Sequence, residues 1–455
     1  DHRDLHSFPT RRSSDLNIRQ AILRYELKHP VVNDNQMAIW RSFGVNSWPT
    51  LALIDPEGYV VWSASGEGHR ATLEAILTEG LELYGRAGKL DNRPLNLTQE
   101  TRPTSPLAFP GKLAVDEARG RLFISDSNHN RIVATDLSGK FIQAVGDGTA
   151  GLVDGDFATA RFNRPQGLAL WKGSLLVADT ENHALRRVDL TTGQVRTLAG
   201  TGFQSTTYAR GEGKGLEVAL STPWDLAVVG DVAYIAMAGT HQIWSYDLAR
   251  DWIKPFAGTG REARGDGPFA QAAFAQPSGL TGDGKYLYVA DSEICSIRRL
   301  DLLEGRVSTL AGGDLFDFGD RDGTGDGVRL QHPLGVLLQG NTLWIADTYN
   351  HKLKQANVTT GEVTSFAGTG RPGFADGPEA AFYEPSGFAL TGNTLYVADT
   401  NNHAIRTVDT RTGLIGTLKL TGVPLPTAPT AGEEALTLSK ARIASGEGQL
   451  VVTLV

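Results

Sequence analysis

Cysteine is all but missing from this chain, since Cys295 is the only one in 455 residues. These residues therefore form no internal disulfide and no CxxC redox pair. Positive charge is not in excess either: 43 Lys and Arg stand against 51 Asp and Glu, a net charge of -8, which disfavours general nucleic-acid binding. No run approaches the roughly eighteen apolar residues of a helical membrane span. Aromatic residues make up only 8%, whereas glycine is abundant at 53, a balance that suits a turn-rich β protein. The length exceeds one ordinary domain.

What the chain does contain is repetition. ADTENHALRRVDL (178–190) returns as ADTNNHAIRTVDT (398–410), and with erosion as SDSNHNRIVATDL, AMAGTHQIWSYDL, ADSEICSIRRLDL and ADTYNHKLKQANV. The second residues of the six copies are Asp126, Asp179, Met237, Asp291, Asp347 and Asp399, spaced by 53, 58, 54, 56 and 52 residues. A period of this length marks a supersecondary unit. Within one unit, GLALWKG, SLLVADT, ALRRVDL and QVRTLAG show the two-residue period of strands, each bounded by turn residues. Four short strands per unit predict one propeller blade, and six units predict a closed ring that shields most strand edges.

Around this repeat the text changes character. Residues 1–16, DHRDLHSFPTRRSSDL, lack an apolar period, resemble a translated sequencing adapter or a polar tail, and are expected to carry no function. Residues 17–88 read as a small α/β unit: a helix over NIRQAILRYEL, a short strand at HPVVND, a helix over NQMAIWRSFGV, a hairpin at TLALIDPEGYVVWSASG and a helix over HRATLEAILTEGLELYG. A linker is expected over 89–108, the propeller over 109–421, a second linker over 422–432 and about two strands of a further β domain over 433–455.

The segment VNSWPTLALIDPEG (45–58) resembles the thioredoxin-fold stretch in which a cis proline, here Pro49, opens a central strand. Together with SPLAFPGK, PQGLAL, STPWDLAV, AMAGTHQIW, FAQPSGL, LQHPLGV and ADTNNH, it makes the chain resemble the NHL repeat-containing protein 2 family. That resemblance implies a mainly β fold: a six-bladed NHL-type β-propeller preceded by a partial thioredoxin-like α/β domain and followed by the start of a β-rich domain. It also implies that Trp48, before Pro49, lies where a catalytic thioredoxin holds a substrate backbone. Pro49 equally suits a structural proline. The family's cysteine motif is absent from these residues.

The repeated residues read first as structure. Asp126, Asp179, Asp291, Asp347 and Asp399 end strands, where a carboxylate caps turn amides. His183, His241, His351 and His403, with Asn130 and Cys295 at the two remaining equivalent places, invite a zinc reading. A residue repeated once per blade is however spread around a ring, so hydrogen bonding or packing is the expected role, with no metal and no cofactor. GDRDGTGDG (319–327) poses a calcium question at Asp320, Asp322 and Asp326. An EF-hand loop would place Glu where Gln331 stands, so an acidic loop is the expectation and calcium the alternative.

Function is expected where the long GTG and DG loops crowd one rim, beside the Pro-x-Gly boxes and Asn-His turns. The candidate partner-binding residues on that face are Gln166, Trp224, Asp225, Met237, Arg261, Arg264, Ser278, Leu334 and Ser386. Trp224 and Asp225 break the Pro-x-Gly rule, and Met237 replaces the strand-end aspartate. The sequence thus predicts a protein-interaction scaffold that docks a protein or peptide partner, with no nucleic acid and no membrane span, in the cytoplasm. Two alternatives stand beside it: a thiol-disulfide oxidoreductase whose propeller selects substrates, and a metal-dependent propeller hydrolase or lyase. The inner strands GLAL, DLAV, GLTG, GVLL and GFAL offer few ligands for the second.

Overall fold

A computed structural model describes residues 15–66, 68–91, 104–205 and 211–425. The chain divides into one unit over 1–103 with 428–455 and another over 104–427. The first unit contains helix α1 (Asp15–Tyr25), helix α2 (Ala38–Ser42), a hairpin of β1 (Thr50–Ile54) and β2 (Val60–Ser65), and helix α3 (Arg70–Arg86). Asp34 starts α2 by accepting the N–H groups of Ala38, Ile39 and Trp40 at 2.7, 3.1 and 2.8 Å, which satisfies donors that a helix start leaves orphaned. Asp55 fixes the hairpin turn through the N–H groups of Glu57 and Tyr59 and ties it to α3 through the Tyr84 hydroxyl at 2.8 Å. The Trp48–Pro49 peptide bond is cis.

The strand expected over HPVVND does not form. A strand needs a partner ladder, and the only sheet described in this unit is the two-stranded hairpin. That sheet buries little, since Leu51, Val60 and Val61 are exposed and α3 contains no buried residue. The adapter-like tail up to residue 14 and the strands expected over 433–455 lie outside the described residues.

The second unit is a ring of six antiparallel sheets. Their inner strands are Pro110–Asp116, Pro165–Trp171, Pro223–Val229, Pro277–Gly282, Gly335–Gln339 and Pro385–Thr391, which name blades 1 to 6 in order. In blades 2, 4 and 5 a two-residue fifth strand from the preceding inter-blade loop borders the outer strand. Blade 1 receives an outer neighbour from the far end of the unit, here a single parallel bridge: Thr421 N–H donates to the Gly139 carbonyl at 3.0 Å, and Phe141 N–H to the Thr421 carbonyl at 2.9 Å. A side chain at Gly139 (φ 91°) would put its Cβ 2.5 Å from the Lys419 carbonyl oxygen, so glycine is required at this junction.

The period-two pattern buries alternate residues of every sheet in the spaces between blades. Six apolar clusters result, one per seam. At the seam joining blade 6 to blade 1, Leu113, Leu122 and Val133 pack with Ala389, Tyr396 and Ile405, and Leu418 and Leu420 cover them. No blade owns a core of its own, so each is stable only between neighbours.

Candidate interaction face and channel

Each Asp-Thr-x-Asn-His turn follows the end of a second strand and projects on the face of the inter-blade loops. The last residue of the turn adopts a left-handed conformation, with φ between 49° and 54° at Asn130, His183, His241, Cys295, His351 and His403. That geometry aims its side chain at the next blade, where it accepts one backbone N–H. His183, His241, His351 and His403 accept through Nδ1 from Thr222, Gln276, Glu384 and Phe109 at 3.0, 3.1, 3.2 and 3.1 Å. Asn130 Oδ1 does so from Arg164 at 3.0 Å, and Cys295 Sγ from His332 at 3.3 Å. The four imidazoles therefore serve four different seams, and among the described residues no three His, Cys, Asp or Glu side chains gather as metal ligands.

A hydroxyl makes a second crossing of the same seams. Ser127, Thr180, Ser292, Thr348 and Thr400 donate to the carbonyls of Pro165, Pro223, Pro333, Pro385 and Pro110 at 2.7 to 2.8 Å. The strand-end aspartates lie just before these hydroxyls and are fully buried. In blade 4, Asp291 accepts the Ala275 N–H at 2.7 Å and the Arg298 guanidinium at 2.9 Å. Arg298 also reaches Asp266 of the incoming loop at 2.9 Å, and Asp266 accepts the N–H and hydroxyl of Thr309 on the outer strand. The guanidinium lies over Phe274, 5.1 Å from the ring centroid. The same clamp recurs with Asp179, Arg186 and Asp154, and with Asp399, Arg406 and Asp376. Burial pushes Asp291 and Asp347 up to about 7 and Asp179 and Asp399 to about 6, against the pull of their cations.

Blade 5 writes the clamp with lysine. Lys354 Nζ lies 2.9 Å from Asp320 and 2.8 Å from Asp322, and Lys352 Nζ is 2.7 Å from Asp320, while Asp326 pairs with Arg264. The acidic loop is thus answered by ammonium and guanidinium groups, which occupy the oxygens a calcium ion would need.

Several candidate residues for the partner face are buried. Gln166, Ser278, Leu334 and Ser386 are only 3–8% exposed, because the middle residue of Pro-x-Gly tucks beneath the neighbouring blade. Met237 is fully buried. It stands where other blades have the clamp aspartate, and the other parts change with it: Trp244 replaces the arginine, and Pro255, paired with Trp244, replaces the outer-strand hydroxyl. Blade 3 therefore exchanges an ion pair for an apolar contact. Asp225 is buried as well, in a pair with Lys112 at 3.2 Å. Trp224 is partly exposed, Arg261 is exposed, and Arg264 is held by Asp326.

Sequence reasoning missed two groups. One is Lys112, which PGK reveals as the second departure from Pro-x-Gly, opposite in charge to the Asp225 of PWD. The other is a set of aromatics at loop tips: Phe203, Phe316 and Phe374 are 79%, 69% and 57% exposed. Inside the ring the inner strands enclose a channel cavity of about 290 Å³, lined by Val115, Leu168, Val228, Leu337 and Leu390 among others.

Six four-stranded sheets closed into a ring, locked by Asp-Thr-x-Asn-His turns, define an NHL-repeat β-propeller, and the NHL repeat model matches residues 162–187 and 382–407. Over about nine tenths of its length the chain is similar to members of the NHL repeat-containing protein 2 family. It is 39% identical over 451 residues to NHL repeat-containing protein 2 of Homo sapiens, covering 91% of this chain and 62% of that protein. It is 48% identical over 450 residues to Protein SUPPRESSOR OF QUENCHING 1, chloroplastic, of Arabidopsis thaliana, covering 93% of this chain and 43% of that protein. The chain thus spans about half the length of these relatives. A solved streptogramin B lyase aligns with 71% of the chain and 84% of its own at 12% identity, with a TM-score of 0.43.

Proposed function

We propose that this propeller is a protein-interaction scaffold whose loop-bearing face docks a peptide or protein segment. The observation behind this reading is the contrast between the loop tips and what lies under them. Phe203, Phe316 and Phe374 are exposed aromatics, while the seams beneath them are held by repeated hydrogen bonds. Large apolar side chains displayed on a rigid base make good anchors, because little entropy is lost on binding. Trp224 opens the inner strand that follows the loop carrying Phe203, so the two belong to the same corner of the ring. The acidic side chains at Asp317, Asp320, Asp322 and Asp326 are paired within the propeller, so the aromatics and not the charge of this loop carry the reading.

The test is capture of a binding protein, followed by titration of its minimal peptide. Trp224→Ala and Phe203→Ala are each expected to weaken binding about thirtyfold, equivalent to about 2 kcal/mol. Thr192→Ala, in a turn on the opposite face, is expected to leave it unchanged. Equal affinity for Trp224→Ala and Phe203→Ala alongside loss in Thr192→Ala would place the partner on the other face.

The unit over 17–88 is proposed as thioredoxin-like on the resemblance of its VNSWPTLALIDPEG hairpin. Disulfide reduction needs an accessible thiolate. Cys295 is buried in the other unit, where burial pushes its thiol well up. Turnover of insulin disulfides by this chain is expected to equal a protein-free control; turnover above it, with thioredoxin contamination removed, would revive the oxidoreductase reading.

A further inference from the structure

The third position of the six Pro-x-Gly boxes reads Lys112, Gly167, Asp225, Gly279, Gly335 and Gly387. The glycines have a steric cause. A Cβ on Gly335 would lie 2.2 Å from the Ser386 carbonyl oxygen, and one on Gly387 would lie 2.4 Å from that of Gly111. Neighbouring inner strands touch backbone to backbone at this level, and the two side chains that do occur there both line the axial cavity. They carry opposite charges, stand two blades apart, and meet: Lys112 Nζ is 3.2 Å from Asp225 Oδ2.

The pair reaches further than its own two blades. Lys112 Nζ also donates to the Leu334 carbonyl in blade 5. Asp225 accepts the N–H of Leu226 at 2.9 Å and that of Leu280, in blade 4, at 3.0 Å. The two side chains are only 5% and 10% exposed. Burial pushes the Lys112 amine down and the Asp225 carboxyl up, each resisted by attraction to the other.

We infer that Lys112 and Asp225 form a latch across the propeller axis that fixes blades 1, 3 and 5 in register. A buried ion pair adds little net stability compared with a well-packed apolar pair, yet it penalises any arrangement that separates its members. Six blades built on one pattern need such a device, because their apolar faces are nearly interchangeable. A lysine that finds its carboxylate two blades on and its carbonyl four blades on is satisfied only when all six close in order. Blade 3 has given up its peripheral clamp at Met237 and its seam hydroxyl at Ala238, so the axial pair also replaces contacts missing from that sector.

Unfolding kinetics and hydrogen exchange on the full chain test this. Lys112→Met and Asp225→Asn each leave a charge buried without its partner, and each is expected to speed unfolding about a hundredfold. Lys112→Gly/Asp225→Gly writes what the other four blades have and leaves no charge, so it is expected to unfold less than about tenfold faster than the parent. Amide exchange in Lys112→Met is expected to rise in the inner strands of blades 1, 3 and 5 and to stay near the parent's in blades 2 and 6. Asp225→Asn keeps one acceptor oxygen, for the N–H of Leu226 or of Leu280 but not both, and removes the charge with the smallest change of shape, so it carries the test if Lys112→Met does not fold. A double variant as fast as the product of the two single effects, or loosened exchange confined to blade 1, would overturn the latch.

Discussion

An imidazole, a carboxamide and a thiol do the same work at six equivalent positions, each accepting one N–H from the following blade. What the position demands is an acceptor on a short stem carried by left-handed backbone, and asparagine and histidine tolerate that backbone better than most residues. His183→Asn should therefore cost under about 1 kcal/mol, and His183→Leu about 1–3 kcal/mol by stranding the Thr222 N–H. Urea unfolding of the two variants checks the order. Periodic spacing alone made these positions legible as ring-distributed and therefore unsuited to one metal ion. The burial of Gln166, Leu334 and Ser386 was not legible, because it depends on how closely the next inner strand approaches.

Among elements, blade 3 is the odd one. Its Met237 departs from the repeat in the sequence, but the meaning of the change lies in Trp244, packed in the same apolar cluster, and in Pro255, which the strand register sets opposite Trp244. Met237 and Trp244 form a coherent substitution: with no strand-end carboxylate to answer, no cation is needed, and Pro255, set opposite Trp244, stands where the other clamps have a hydroxyl. Where the clamp is present, losing one member should be severe. Arg298→Met strands Asp291 and is expected to cost about 3–5 kcal/mol, measured as a fall in the urea midpoint. Met237→Asp should be similarly harmful, and the combination Met237→Asp/Trp244→Arg/Pro255→Thr less harmful than Met237→Asp alone.

For the whole molecule, blade number and strand order were legible because each blade repeats the same apolar alternation and turn residues. The way the far end of the chain returns to blade 1 was not, since its backbone pairing rests on Thr421 and the local text there, LKLTGVP, has no repeat signature. The first unit shows exposed Leu51, Val60 and Val61 on a two-stranded sheet and exposed Leu81 on α3, apolar surface that favours association. A fragment of residues 104–425 is therefore expected to be more soluble than the whole chain and to melt no lower. Scanning calorimetry of both checks this, and a clearly lower transition for the fragment would show that the first unit supports the ring.

The pairing of Thr421 with Gly139 and Phe141, and of Phe109 with His403, brings both ends of the propeller to one seam. A pull applied through the two flanking segments is consequently borne by that seam. Blades 2 to 5 stay outside the line of force until it yields, and the ring responds to tension as a bracelet with a single clasp.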